Sequence, residues 1–179
     1  MVLYSAPQKP NPPGATAAED EENPIYGTAR VLLAYRDLGR MTSPEARSGI
    51  DWLLSNQDLG GGWGGGGKRL DTRRSLGESG VEETGLALEA LLDDPRIETD
   101  RLLQHVAGKG LAWLVDAVEQ NRHRRCSPIG LYFAKLWYYE RLYPLIFSVS
   151  ALATAVGRYL PGDVDREDSL PPPAYASHP

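Results

Sequence analysis

An all-α fold is what this sequence predicts, and three observations carry the prediction. Apolar residues recur at helical spacing along most of the chain, between punctuation suited to helix ends. No strand-like alternation of useful length occurs. A short internal repeat is the third: Gly49-Ile50-Asp51-Trp52-Leu53-Leu54 returns 61 residues later as Gly110-Leu111-Ala112-Trp113-Leu114-Val115, and a glutamine follows each tryptophan, Gln57 and Gln120. Repeated helix pairs cannot bury their faces alone and stack on one another, so three consecutive helix pairs are expected.

Helix one covers Ile25 to Leu38, with Ala29, Leu32 and Leu33 on one stripe and Val31, Ala34, Tyr35 and Leu38 on another. Gly39 closes it as the residue after the C-cap. Ser43 as N-cap, Pro44 at the first helical position and Glu45 beside the positive end open helix two, which runs through Ile50, Trp52, Leu53 and Leu54 to Asn56 or Gln57. After a glycine-rich loop, Ser79 and Glu82 have capping-box spacing and open helix three, Val81 to Leu92, which Asp93-Asp94-Pro95 ends. Helix four runs from about Thr99 to Asn121, with Gly108 and Gly110 as the places where it could break. Helix five, Pro128 to Arg141, is apolar or aromatic around its circumference except at Lys135 and Glu140, so it must be covered on most sides. Pro144 starts helix six, through Leu145, Ile146, Val149, Leu152, Val156 and Tyr159.

The 179 residues allow one domain with loose ends. Residues 1–22 hold four prolines and the run Glu19-Asp20-Glu21-Glu22, and residues 161–179 hold five prolines and an acidic stretch from Asp163 to Asp168. Both are expected to be disordered tails, leaving residues 23–160 as the domain. A single cysteine allows no internal disulfide framework, and a reducing cytoplasm is the expected setting. A net charge of −5 disfavours a nucleic-acid partner, because phosphate neutralisation needs a basic face. Arg122-His123-Arg124-Arg125 reads as a solvated loop between helices; anionic lipid or pyrophosphate would be its functional alternative. No signal peptide is visible, and the uncharged run Leu142 to Gly157, 16 residues with Pro144 inside it, is shorter than the ~20 apolar residues that cross a bilayer. No metal or cofactor is expected: Cys126 and His123 lack the companions of a zinc site.

The loop Gly60-Gly61-Gly62-Trp63-Gly64-Gly65-Gly66-Gly67-Lys68 contains the glycine-to-lysine spacing of a phosphate-binding loop. It follows a helix instead of a strand, and Arg69 stands where a magnesium-binding hydroxyl belongs, so it reads as a tight turn with Trp63 folded back on the helix end. Gly49, Trp52-Leu53, Gln57, Gly62 and Trp63 form a series that resembles the QW repeat of the terpene cyclases that include squalene–hopene cyclase. Asn23-Pro24-Ile25-Tyr26-Gly27-Thr28 resembles that family's tyrosine–glycine–threonine segment. Val81-Glu82-Glu83-Thr84-Gly85-Leu86-Ala87-Leu88 resembles its inner helix after the QW loop, and Pro128 to Leu145 resembles the C-terminal segment of bacterial squalene-cyclase-like proteins. The similarity spans about Asn23 to Leu160 in family order.

The resemblance implies a double barrel of twelve helices around an aromatic-lined cavity, of which six helices would be a partial α/α barrel. In that cavity an aspartic acid protonates a polyisoprenoid such as squalene, and aromatic faces stabilise the travelling carbocation, by roughly 2 kcal/mol or more per desolvated contact. It implies structural roles for Gln57, hydrogen-bonded to a neighbouring helix end, and for Trp63, stacked on it. It implies a role for Tyr26 in positioning the acid through hydrogen bonds, with an ordinary helix-start aromatic as the alternative, and cavity roles for Tyr132 and Tyr139, with core packing as theirs. Leu136 and Asp20 depart from squalene–hopene cyclase itself, which has tyrosine and tryptophan there. The family's general acid lies in an Asp-x-Asp-Asp motif, and this sequence contains none; Asp93-Asp94 lacks the leading aspartate, and adjacent Glu82 and Glu83 point in different directions, with capping to explain Glu82. Catalytic residues are therefore expected to be absent here. The chain reads as the C-terminal part of a cyclase, inactive alone, with a complementary cyclase chain and peripheral membrane contact as further partners. A non-catalytic α/α module for lipid or protein binding is the other reading. Six helices where twelve close the barrel also predict an exposed apolar edge.

Overall fold

Among the described residues the chain forms α1 (Pro24–Asp37), α2 (Pro44–Ser55), α3 (Val81–Leu92), α4 (Arg101–Glu119) and α5 (Tyr143–Tyr159). The two-residue strands β1 (Trp63–Gly64) and β2 (Ser79–Gly80) pair antiparallel, as do β3 (Pro128–Leu131) and β4 (Leu136–Tyr139). This computed structural model describes residues 23–64, 79–126, 128–131 and 136–159, with backbone only for 128–131 and 136–139. The tails expected to be disordered, the glycine-to-lysine stretch beyond Gly64, Tyr132 and Asp20 lie outside the described residues.

The caps act where the sequence places them, with two exceptions. Ser43 Oγ accepts from Ala46 N, Pro44 occupies the first helical position, and Gly39 adopts φ +65 after α1. Asn23 also caps α1, its Oδ1 accepting from Tyr26 N, so the helix begins at Pro24. The capping box at α3 does not form: Gly80 is the N-cap, and Ser79 sits on β2 with its hydroxyl donating to Asp58 Oδ2 at 2.6 Å. Glu82 is therefore not explained by capping. The fourth helix runs unbroken through Gly108 and Gly110.

Helix five of the expected six is a hairpin. Pro128 faces Tyr139 and Leu131 faces Leu136 across it. A run that is apolar on all sides carries no 3.6-residue period, and Ile129, Trp137, Tyr138 and Tyr139 are residues that suit a pleated, half-buried surface. The third helix pair is replaced by a hairpin followed by α5, and the class remains all-α.

Helices α1, α3 and α5 run parallel with α3 between the other two. Asn23 at the start of α1 bonds Glu83 in the first turn of α3, while Arg36 in the last turn of α1 meets Glu89 and Asp93 at the far end. Gly85 lies against the backbone of Phe147, where an added Cβ would sit 2.7 Å from the Phe147 carbonyl oxygen, and Arg158 pairs with Glu98 beyond α3. Glycine at 85 is thus what lets α3 and α5 approach so closely. Helix α2 packs on α1, and α4 packs on α3. All twelve residues of α3 are buried, which explains its near-continuous apolar run.

Candidate functional site

The QW-like residues join these helices. Gln57 Nε2 donates to Gly61 O at 2.7 Å and to Val106 O at 2.8 Å, tying the loop after α2 to the first half of α4. Trp63 is fully buried: its Nε1 donates to Leu53 O, its backbone N–H donates to Thr84 Oγ1, and its ring lies against Gly110 of α4. Its ring thus meets a helix backbone. The second repeat follows the first in its helix, with Leu53 and Leu114 both buried, but not in its glutamine: Gln120 bonds Asp116 on its own helix. Trp113 instead carries the guanidinium of Arg122 4.8 Å from its ring centroid. The basic cluster is a short 3-10 turn, Arg122–Arg124, following α4.

At the N-terminal end of the three parallel helices, aromatic and carboxylate side chains converge. Tyr26 of α1 meets Phe147 of α5 edge-on at 6.3 Å between ring centroids, and Phe147 meets Tyr143 at 5.1 Å. Burial raises the Tyr26 phenol above its ordinary value; Arg30 lowers it and Tyr143 raises it further, so the ring stays neutral at physiological pH. The Tyr26 hydroxyl makes no hydrogen bond among the described residues, while its backbone N–H donates to Asn23 Oδ1. Beside this group Glu82 and Glu83 are each 1 % exposed, and Asn23 Nδ2 donates to Glu83 Oε1 at 3.0 Å.

A cleft of about 240 Å³ runs along α1 and α5, lined by Arg30, Leu33, Ala34 and Asp37 with Ile146, Phe147 and Ser150. Arg36 and Glu89 close one end of it. Arg36 Nη1 lies 2.8 Å from Glu89 and 3.0 Å from Asp93, and Nε lies 2.9 Å from Asp37. The hydrogen bond to Glu89, ahead of those to Asp93 and Asp37, holds the guanidinium well above its ordinary pKa. Polar and charged side chains, Arg30, Arg36, Asp37, Glu89 and Ser150, thus line the cleft alongside Leu33, Ala34, Ile146 and Phe147.

Of the residues singled out from the sequence, Gln57, Trp63 and Tyr26 are placed in full. Tyr139 is placed on β4 by its backbone, and Tyr132 lies outside the described residues. Tyr143, Phe147, Asn23 and the Arg36 cluster were not anticipated. Glu89 carried a readable signal: an acid inside the apolar run Leu86 to Leu92 must find a partner once that run is buried. No group of His, Cys, Asp and Glu suited to a metal occurs among the described residues, and no described helix is long and apolar enough to cross a membrane.

The family model described as the squalene-hopene cyclase C-terminal domain matches residues 8–157. No curated protein and no solved structure matches the chain.

Proposed function

Since the chain belongs to the squalene-hopene cyclase C-terminal domain family, we propose that it forms the C-terminal portion of a polyisoprenoid cyclase. It would supply half of an α/α barrel, with the Asp-x-Asp-Asp acid contributed from outside these 179 residues. The observation that carries this reading is the aromatic group of Tyr26, Tyr143 and Phe147, drawn from the first and last helices onto the start of α3. Rings gathered at one end of parallel helices offer π faces to a developing carbocation in a water-poor site. Tyr26, kept neutral by burial and free at its hydroxyl, is suited to orient an acid brought to it. Tyr132 and Tyr139 would add further aromatic wall from the hairpin segment. A substrate as apolar as squalene reaches such a site from a bilayer, so peripheral membrane contact belongs to the same proposal.

Binding without turnover is the property to measure. The purified chain, equilibrated with squalene in detergent micelles and re-isolated, should retain squalene detectable by gas chromatography. Tyr26→Leu and Tyr143→Leu should release it while the far-UV circular dichroism is unchanged. No retention by the unaltered chain would contradict the reading. A non-catalytic module for lipid or protein binding is the second reading, favoured by the charged end of the cleft, where Arg36, Asp37 and Glu89 stand at the opposite end of α1 from the rings.

A further inference from the structure

Arg30, Leu33, Ala34 and Asp37 recur at helical spacing on the side of α1 that borders the cleft, and Glu89 reaches the same cleft from α3. Charge of both signs is left unspent there. Arg30 forms no hydrogen bond or ion pair among the described residues, so its guanidinium is available to an anion. Arg36, by contrast, is shared among Glu89, Asp93 and Asp37, one cation against three carboxylates, and the cluster keeps a surplus of negative charge. Glu89 gives Oε1 to Arg36 and Asp37 gives Oδ1, while Oε2 of the one and Oδ2 of the other take no hydrogen bond among the described residues.

Spacing along α1 sets what could use both charges at once. Arg30 precedes Asp37 by two turns, about 10 Å along the helix axis. Leu33 and Ala34 fall between them in α1, and Ile146 and Phe147 of α5 line the same cleft. An anion alone would meet the unspent oxygens of Glu89 and Asp37, and a cation alone would leave Arg30 without a counter-charge. A ligand that answers the whole lining carries an ammonium for the carboxylates, an anionic group for Arg30 and a hydrocarbon chain between the two.

We infer that the cleft between α1 and α5 binds an aliphatic ω-amino carboxylate, the group presented by ε-aminohexanoate and by a lysine at the C-terminus of a peptide. The ammonium donates to Glu89 Oε2 and Asp37 Oδ2, and the carboxylate accepts from the planar fork of Arg30. The methylene chain lies on Leu33, Ala34 and Ile146 and takes apolar surface out of water. Free lysine carries a second ammonium beside its carboxylate, which would face Arg30, so the peptide form is the better ligand. This names a ligand for the cleft on which the second reading of function rests. Failure of the chain to retain squalene leaves it standing, and failure to bind ε-aminohexanoate leaves the squalene reading standing.

Titration of the isotope-labelled full chain with ε-aminohexanoate, followed by the amide resonances of Arg30, Ala34, Phe147 and Ser150, tests this. The shifts should saturate with a roughly millimolar dissociation constant, the affinity that two partly exposed ion pairs and one apolar contact supply. Hexylamine and hexanoate each lack one charge and should bind about fivefold more weakly. Arg30→Gln should reduce ε-aminohexanoate to the affinity of hexylamine without weakening hexylamine itself, whereas Asp37→Asn should weaken both. Ala34→Trp, which sets a ring in the cleft, should abolish the shifts while the far-UV circular dichroism is unchanged; if that variant does not fold, Arg30→Gln still decides. Nα-acetyl-lysine, which mimics a peptide C-terminus, should match ε-aminohexanoate and exceed free lysine; the reverse order would keep the ligand chemistry and make the free amino acid its source. The inference is overturned by shifts that never saturate, by hexanoate or hexylamine binding as tightly as ε-aminohexanoate, or by an Arg30→Gln chain that binds ε-aminohexanoate unchanged.

Discussion

A methyl group at Gly110 would come within 2.6 Å of the Trp63 ring and 2.8 Å of Leu88 Cδ2. Two effects oppose each other there. Alanine favours the helix by about 1 kcal/mol over glycine, whereas overpacking a tight core costs about 1–3 kcal/mol. Because Trp63 is fully buried and held by its bonds to Leu53 and Thr84, it cannot yield, and Gly110→Ala should lower the urea midpoint. An unchanged or raised midpoint would show that the ring is free to move. At this scale Gln57 and Trp63 were legible because glutamine and tryptophan at fixed spacing after a helix have few structural reasons to recur. Which groups they would meet was not, because Val106 and Gly110 lie 49 and 47 residues away in sequence. The aromatic contact of Tyr26 with Phe147 was hidden in the same way: each residue reads as part of an ordinary apolar stripe until α5 is laid beside α3.

Caps and proline positions placed five helices to within about two residues, since Ser43, Pro44, Gly39, Asp93-Asp94-Pro95 and Pro144 act through local backbone chemistry. The hairpin of Pro128–Leu131 and Leu136–Tyr139 escaped because its pattern lacks any period, and an apolar run of that length suits either state until its neighbours are known. Between elements, the Arg36 cluster fastens the far ends of α1 and α3. Glu89 keeps only a tenth of its side-chain exposure and Arg36 about a third, so removing the guanidinium strands a mostly buried carboxylate that water screens in part. Arg36→Met should therefore cost about 1–3 kcal/mol, below the ~3–5 kcal/mol of a fully buried pair. Urea unfolding measures it, and adding Glu89→Gln should return part of the loss. No loss in the single variant would mean that the cluster is a surface ornament.

For the molecule as a whole, the exposed apolar edge expected from the helix count is present on α5, where Leu145, Ile146, Val149 and Val156 face outward. Periodicity and caps revealed the helices and a repeat hinted at their pairing. The parallel order of α1, α3 and α5 rests on long-range contacts, Asn23 to Glu83 and Phe147 to Gly85, that no local signal encodes.

Turnover of squalene, followed by gas chromatography with mass detection, tests the central claim most directly. The chain alone should give no cyclised product, and the chain mixed with a polypeptide carrying the Asp-x-Asp-Asp acid and the remaining barrel should give a cyclised triterpene that Tyr26→Leu abolishes. Cyclised product from the chain alone would contradict the account, because it would place a working acid among residues that here are assigned none.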